Sequence, residues 1–482
     1  MSVASGAAGG EQIYVAQSLA GSDTGTSCAN AHSAAWFNNV ANWGTGVGKI
    51  SPGDTVRLCG TISTKMTFQG GGTAGNPVVL KFEDNAKFSA PTWDVTGTSA
   101  AIKGLSLSYI EIDGGTNGII EATDTGSAPT YGSQSNLAGV YLPNCNFCRV
   151  HDLTVRNLFV KNVNDNIGGG DAIDLSGSSN SRVDHNTIHD SQIGVNWVIS
   201  SGPSNIEIDH NVISRANHNI VLGSVQSNTA SNIVIHDNEI YDWQNWDNPA
   251  QNVFHHNGIF VFTEDPAVGA TVVGLKIYNN YFHGNPGGFM TATIYLDANY
   301  GTIASPLIFN NVFSINTNAP TNGMVFFQKG SAQPGTFSSP SLYNNVFNYA
   351  TNIAAICIKN GATNLVSKNN IFTNCGMVYY VYVPNGNISA SDFNDFYGNT
   401  WFGPGFSNPT LAQWQSATGQ DANSISGNPN LDASLRPQVG SPVIGAGTNL
   451  YGLGITALNA DKAGTPRPSS GAWDIGAYEF TG

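Results

Sequence analysis

The stretch Val183-Asp184-His185-Asn186-Thr187-Ile188 decides the reading of this chain, because its frame returns at intervals along most of the length. An apolar residue, a variable residue, a polar residue, Asn, one more residue and then Ile or Phe recur as Ile208-Asp209-His210-Asn211-Val212-Ile213 and Ile235-His236-Asp237-Asn238-Glu239-Ile240. Four further copies are Ile277-Tyr278-Asn279-Asn280-Tyr281-Phe282, Ile308-Phe309-Asn310-Asn311-Val312-Phe313, Leu342-Tyr343-Asn344-Asn345-Val346-Phe347 and, with a weaker start, Ser367-Lys368-Asn369-Asn370-Ile371-Phe372. A unit of about 25–40 residues cannot bury an apolar face by itself, so its repetition marks a solenoid. The period-2 alternation inside each unit marks β-strands. Successive Asn residues then lie about 4.8 Å apart at a bend of each coil and hydrogen-bond one another's amides up the stack.

The 482 residues suffice for two or three ordinary domains, but an unbroken repeat argues for one elongated domain over residues 11–482. It divides into a cap over residues 11–77, coils over 78–384 and a closing segment over 385–482, after an unstructured 1–10. The 56 Gly, with only 10% charged and 40% hydrophobic residues, suit a β-solenoid with many tight turns. A net charge of −14 with only 18 Lys plus Arg argues against nucleic acid as a partner and weakens the case for a strongly anionic polysaccharide. Aromatic residues on an acidic surface suit neutral sugar rings instead. No apolar run reaches the ~20 residues that span a membrane, and no membrane partner is expected.

Six cysteines fit three disulfides in an extracellular chain. Connectivity is not encoded in spacing; the expected pairs are Cys28 with Cys59, Cys145 with Cys148 and Cys357 with Cys375. A redox or zinc site at Cys145-Asn-Phe-Cys148 is the sharper alternative, unsupported by a second CxxC. Met1 to Gly10 have the character of a stretch left when an initiator Met replaces a signal peptide, and the expected location is extracellular.

Ile13 to Gln17 reads as a strand and Asn30 to Trp43 as a short helix, together an N-terminal cap that blocks edge-to-edge growth of the solenoid. A second strand set follows the Asn bends as apolar–x–apolar triplets: Val140-Tyr141-Leu142, Ile173-Asp174-Leu175, Val195-Asn196-Trp197, Ile220-Val221-Leu222, Ile259-Phe260-Val261, Ile294-Tyr295-Leu296, Val325-Phe326-Phe327 and Ile356-Cys357-Ile358. Alternation turns the middle residue outward, so Tyr141, Asp174, Asn196, Phe260, Tyr295 and Phe326 form the floor of a groove that binds substrate. Tyr241 to His255 makes one coil far longer than its neighbours and reads as a substrate wall, with Trp243 and Trp246 as a sugar platform. Pro409 to Thr418 reads as a helix after the Asn ladder stops near Asn385.

The Asn-bend repeat, with the ending Asp461-Lys462-Ala463-Gly464-Thr465-Pro466-Arg467-Pro468 and Asp474-Ile475-Gly476-Ala477-Tyr478-Glu479-Phe480, resembles secreted bacterial right-handed parallel β-helix proteins of the pectate-lyase-like superfold. The resemblance covers about Val78 to Phe480 and implies an all-β, right-handed parallel β-helix with an N-terminal cap that contains a short helix. It is less specific for chemistry, because that superfold hosts hydrolases, lyases, epimerases and binding proteins. Three coils are similar to the site pattern of polygalacturonase-type glycoside hydrolases: Asp171 matches the first carboxylate, Asp190 the first of a carboxylate pair and His218 the histidine. Ser191 stands where the second paired Asp belongs, and Gly258 to Phe262 lacks the Arg-x-Lys that grips a galacturonate.

An inverting glycosidase needs one protonated and one ionised carboxyl group about 6.5–9.5 Å apart. Carboxylates one or two coils apart meet that spacing, and their mutual repulsion raises one pKa. Asp171 and Asp190 are the lead pair, Asp174 the next choice; the plain alternative is that they bond turn amides. In a second cluster, His256 or Glu264 is the acid–base candidate; adjacent His residues face opposite ways, which argues against a shared metal. Asp184 and Asp209 read as a solvated edge or a Ca²⁺ bridge.

The expectation is therefore a secreted, monomeric glycoside hydrolase acting on a neutral or weakly acidic polysaccharide, without a cofactor. A Ca²⁺-dependent lyase is the alternative, with Arg149, Arg156, Arg182 or Arg215 as the base, and a carbohydrate-binding surface protein the third reading.

Overall fold

The computed structural model of the chain describes all residues except 1–9, 94–98, 125–136, 160–169, 200–203, 226–227, 244–245, 247–255, 265–268, 289, 317–319, 330–333, 383–385 and 404–408. The chain forms two compact units, residues 1–222 with 244–255 and residues 223–243 with 256–482. Both are stacks of parallel coils, and together with the repeat they define a parallel β-helix.

In the first unit one line of strands runs Gln12–Ala16, Thr55–Cys59, Val78–Phe82, Ile110–Asp113, Arg149–His151, Ser181–Asp184 and Ile206–Asp209, each parallel to the next. A strand that always pairs in parallel with its successor needs a full turn of chain between the two, which is what each coil supplies. Inward residues Val56, Leu80, Ile112, Val150, Val183 and Ile208 are fully buried along that line. A second line carries the groove strands Ser99–Lys103, Leu137–Tyr141, Asp171–Asp174 and the later half of Thr187–Ile199.

The second unit repeats the plan with Ile233–His236, Lys276–Tyr278, Leu307–Phe309, Ser341–Tyr343, Leu365–Lys368 and Ile388–Asp392. Its core holds a ring ladder: Phe282, Phe313, Phe347 and Phe372 stack at 4.8, 4.8 and 4.9 Å between centroids. That spacing is the strand spacing itself, so identical residues in register stack without rotamer change.

The Asn ladder forms as the repeat predicts. Asn186 bonds Asn211 at 3.0 Å in the first unit; in the second, Asn238, Asn280, Asn311, Asn345, Asn370 and Asn394 follow one another at 2.9–3.2 Å. It runs past its expected end near Asn385 and closes on Asp421, 2.9 Å from the Asn394 amide. The third residue of each frame is left-handed, from His185 at φ 56° to Asn369 at φ 58°, which is why Asn, Asp and His fill that place.

The cap helix is shorter than expected, Ala34–Asn38, with 3₁₀ turns at Cys28–Asn30 and Val40–Asn42. The Asn38 side chain bonds the backbone of Lys65 and Thr67, and Asn39 accepts from Ala41, contacts that compete with helical continuation. Three disulfides join Cys28–Cys59, Cys145–Cys148 and Cys357–Cys375, as expected, and leave no thiolate at Cys145 or Cys148 to ligate zinc.

One expectation about register changes. Cys357 is buried rather than outward, and Lys359 takes its place opposite Phe326, because the strand Val346–Asn360 shifts register against Ile371–Val381. The final segment packs along the flank of the second unit. Asn310 donates to the Ala460 carbonyl, Asn344 to Asp474 and Gly476, and Asn369 to Thr448, while buried Arg467 donates to Asn310 and pairs with Glu479.

Candidate functional site

In the groove of the first unit the register aligns Lys103 with Tyr141, Tyr141 with Asp174 and Asp174 with Asn196. Their inward neighbours Ile102, Val140, Ile173 and Val195 are fully buried, so alternation sends this column outward. Asp171, three residues before Asp174, keeps part of its surface open and accepts a 2.9 Å hydrogen bond from the Asn196 amide. Asp174 accepts the Ser176 N–H at 2.7 Å.

Burial, then the charge of Asp174, pushes Asp171 up to about 8. Asp174 is also raised, chiefly by burial. A low-dielectric wall penalises both charges, so one proton stays with the pair at neutral pH. The side-chain amide oxygen of Asn196 is buried without a donor among the described residues. The Lys103 ammonium lies 5.8 Å from the Tyr141 ring centre, its pKa lowered by burial and by the charge of Lys65.

Asp190 is not brought to Asp171. The residue opposite Asp171 is Ile193, so Asp190 lies three residues, about 10 Å, back along the strand. Arg215 holds its carboxylate at 2.8 and 2.5 Å and His189 at 2.7 Å, and burial notwithstanding, these partners lower its pKa to about 2. Its left-handed backbone, φ 56°, places it at a corner.

His218 in the first unit and His256 in the second are both buried. Glu264 ends the strand His256–Glu264, and its side chain lies outside the described residues, as does most of the long coil expected as a substrate wall. Trp243 is buried, and Trp246 stacks on Phe159 at 3.8 Å and donates to the Arg215 carbonyl, so neither is the open platform expected.

The outward aromatic column in the second unit exists but is closed. Phe260, Tyr295 and Phe326 stack at 4.9 and 5.1 Å, and Lys359 lies 4.6 Å over Phe326. Tyr295 and Phe326 are 4% and 3% exposed, because rings one coil apart cover each other's faces; only Phe260 remains half-buried. Tyr141 and Asn196 keep the partial exposure expected of groove residues.

The four arginines proposed for a lyase are engaged: Arg149 with Asp184, Arg156 with Glu121, Arg182 with Asp209 and Arg215 with Asp190. Asp184 and Asp209 are thus not a solvated edge but fully buried halves of ion pairs that step from coil to coil. The residue that the sequence reading missed is Lys103. Its frame, Ile102-Lys103-Gly104, follows the groove alternation, but Gly in the third place hides the apolar signature.

No protein-family model matches the chain, and no curated protein matches its sequence. Among solved structures it is similar to pectate lyase Pel9A, with 13% identity over 98% of this chain and 96% of that one and a TM-score of 0.46. It is similar to the GH136 lacto-N-biosidase from Eubacterium ramulus at 12% identity, covering 78% and 65% with a TM-score of 0.47. A third likeness is to the tailspike protein of E. coli bacteriophage HK620 in complex with pentasaccharide, at 14% identity, covering 73% and 60% with a TM-score of 0.42. The chain spans just under two thirds of the length of the latter two.

Proposed function

We propose that this is a secreted, polysaccharide-acting glycoside hydrolase whose acid is Asp171. The observation that supports this reading is the coupled Asp171–Asp174 pair on one groove strand, Asp174 buried and Asp171 partly open, with the Asp171 carboxyl pushed up to about 8. Asp171 protonates the leaving glycosidic oxygen, and ionised Asp174 accepts a proton from the attacking water, so the proton shared by the pair is restored. A pair that shares one proton stands closer than the ~6.5–9.5 Å of a conventional inverting site, so this reading replaces the Asp171/Asp190 arrangement with a shared-proton dyad. The three disulfides favour an extracellular setting. Among the described residues no helix is long and apolar enough to cross a membrane.

Lys103 favours a second reading, β-elimination from a uronate polymer, because burial makes its amine easier to deprotonate and hence a usable base. Asp171, Asp174 and the donor-free oxygen of Asn196 are hard oxygen ligands that fit Ca²⁺, which would neutralise a uronate carboxylate.

The test is product analysis on neutral and uronate polysaccharides with and without EDTA. New reducing ends without ultraviolet-absorbing unsaturated ends, unaffected by EDTA and lost in Asp171→Asn, support the hydrolase. Unsaturated products lost on chelation and in Lys103→Ala replace it with the lyase, and no product from any polymer leaves a binding protein.

A further inference from the structure

The column that follows the ladder Asn in the second unit runs Glu239, Tyr281, Val312, Val346 and Ile371. The C-terminal segment lays Val443, Ile475, Ala477 and Tyr478 over its apolar members. At Tyr281 the apolar strip ends, and beside Glu239 the segment and the coil leave a cavity of about 370 Å³. That size lies at the lower end of the ~300–1,000 Å³ of small-ligand pockets.

Charges of both signs line it. On one side stand Lys462, whose ammonium donates to the Asn279 carbonyl, and exposed Arg436, 4.6 Å over the Tyr478 ring. Among the described residues no carboxylate lies within ion-pair distance of Lys462 or Arg436. On the other side are Asp237, bonded to His236 at 2.7 Å, and Glu239, bonded to His283 at 2.8 Å. A carboxylate has about four acceptor sites, so Glu239 keeps capacity for a hydroxyl donor.

We propose that this cavity binds a small polyhydroxylated carboxylate, a uronate or aldonate the size of one monosaccharide. Its carboxylate lies between Lys462 and Arg436, and its hydroxyls donate to Asp237 and Glu239. A neutral sugar leaves both cations unmatched, and a dianion such as phosphate meets repulsion from the two acidic side chains. Burial, reinforced by Arg436, already pulls the Lys462 ammonium down to about 8 against the opposing pull of Asp237 and Glu239, so a bound carboxylate relieves an existing cost.

The cavity shares no lining residue with the Asp171 groove and is tested without turnover, by titrating the full chain with D-glucuronate, D-gluconate, D-glucose and inorganic phosphate in a calorimeter. At least one sugar acid is expected to bind tenfold or more tightly than glucose and phosphate. Arg436→Gln, at an exposed position, and Lys462→Met are each expected to weaken that binding at least tenfold, while Asp171→Asn leaves it unchanged. The proposal is overturned if neither acid binds, if glucose or phosphate binds as well, or if Arg436→Gln retains full affinity. Loss of binding in Asp171→Asn also overturns it, because the acid then occupies the groove.

Discussion

The Arg215 guanidinium grips the Asp190 carboxylate through two nitrogens, at 2.8 and 2.5 Å, one coil removed from it in the stack. This pair takes Asp190 out of the groove chemistry and gives it a structural task. Asp190→Asn is therefore expected to lower stability by about 1 kcal/mol, after allowance for the solvent exposure of Arg215, and to change kcat less than twofold. The lowered pKa means that this contribution is present above the unfolded value near 3.9 and is lost as pH falls through about 2. Urea titrations at pH 7 and pH 2, with kcat measured on the same variant, check both halves.

Asp171 has the opposite sign. Its pKa is raised to about 8, so folding favours its protonated form, and the stability it confers below pH 3.9 is lost as pH rises toward 8. Activity that needs the protonated acid is expected to fall with the same limb. Asp171→Asn is expected to cost about 10²–10⁴-fold in kcat while raising the melting temperature at pH 8. A variant with wild-type kcat, or a pH–rate profile without the alkaline limb, contradicts the assignment.

Asn345 holds the middle of the amide ladder. Its oxygen accepts from both the backbone and side-chain N–H of Asn311, and its amide donates to Ile308 and Asn370. Asn345→Ala strands these buried groups together, an expected loss of roughly 3 kcal/mol. Chemical denaturation of the variant should show a lower midpoint with an unchanged slope.

Asp395 continues the column of Val312, Val346 and Ile371, yet it is an acid, fully buried, with no hydrogen-bond partner for either oxygen among the described residues. Burial pushes it up to about 8 despite the nearby amides of Phe396 and Gly427. Wild-type stability therefore declines as pH rises from about 4 to 8. Asp395→Leu restores the apolar column and is expected to stabilise by about 1–2 kcal/mol, more at pH 8 than at pH 5. Equal melting-temperature gains at both pH values would falsify the titration argument.

The coil, the amide ladder and the inward–outward alternation were legible in the chain because they rest on local rules. A period of two, an Asn at a bend and a left-handed residue before it each show within one repeat. The Cys145–Cys148 pair agreed for a related reason, since the two are neighbours within a single turn. Cys357 was misjudged where a register shift broke the alternation, and a shift is a property of two strands rather than one.

By itself, then, the sequence determined a parallel β-helix and the outward place of Tyr141, Asp174 and Asn196, because strand geometry repeats identically in every coil. Only the tertiary structure decided which acids share a proton and which are neutralised by arginine. It also decided that Tyr295 and Phe326 are closed, and that the final segment lies along the flank with Lys462 facing a cavity. The physical reason is range: alternation is set by bonds between adjacent residues, whereas charge state and exposure depend on groups dozens to hundreds of residues away, as Lys462 and Asn279 show across 183.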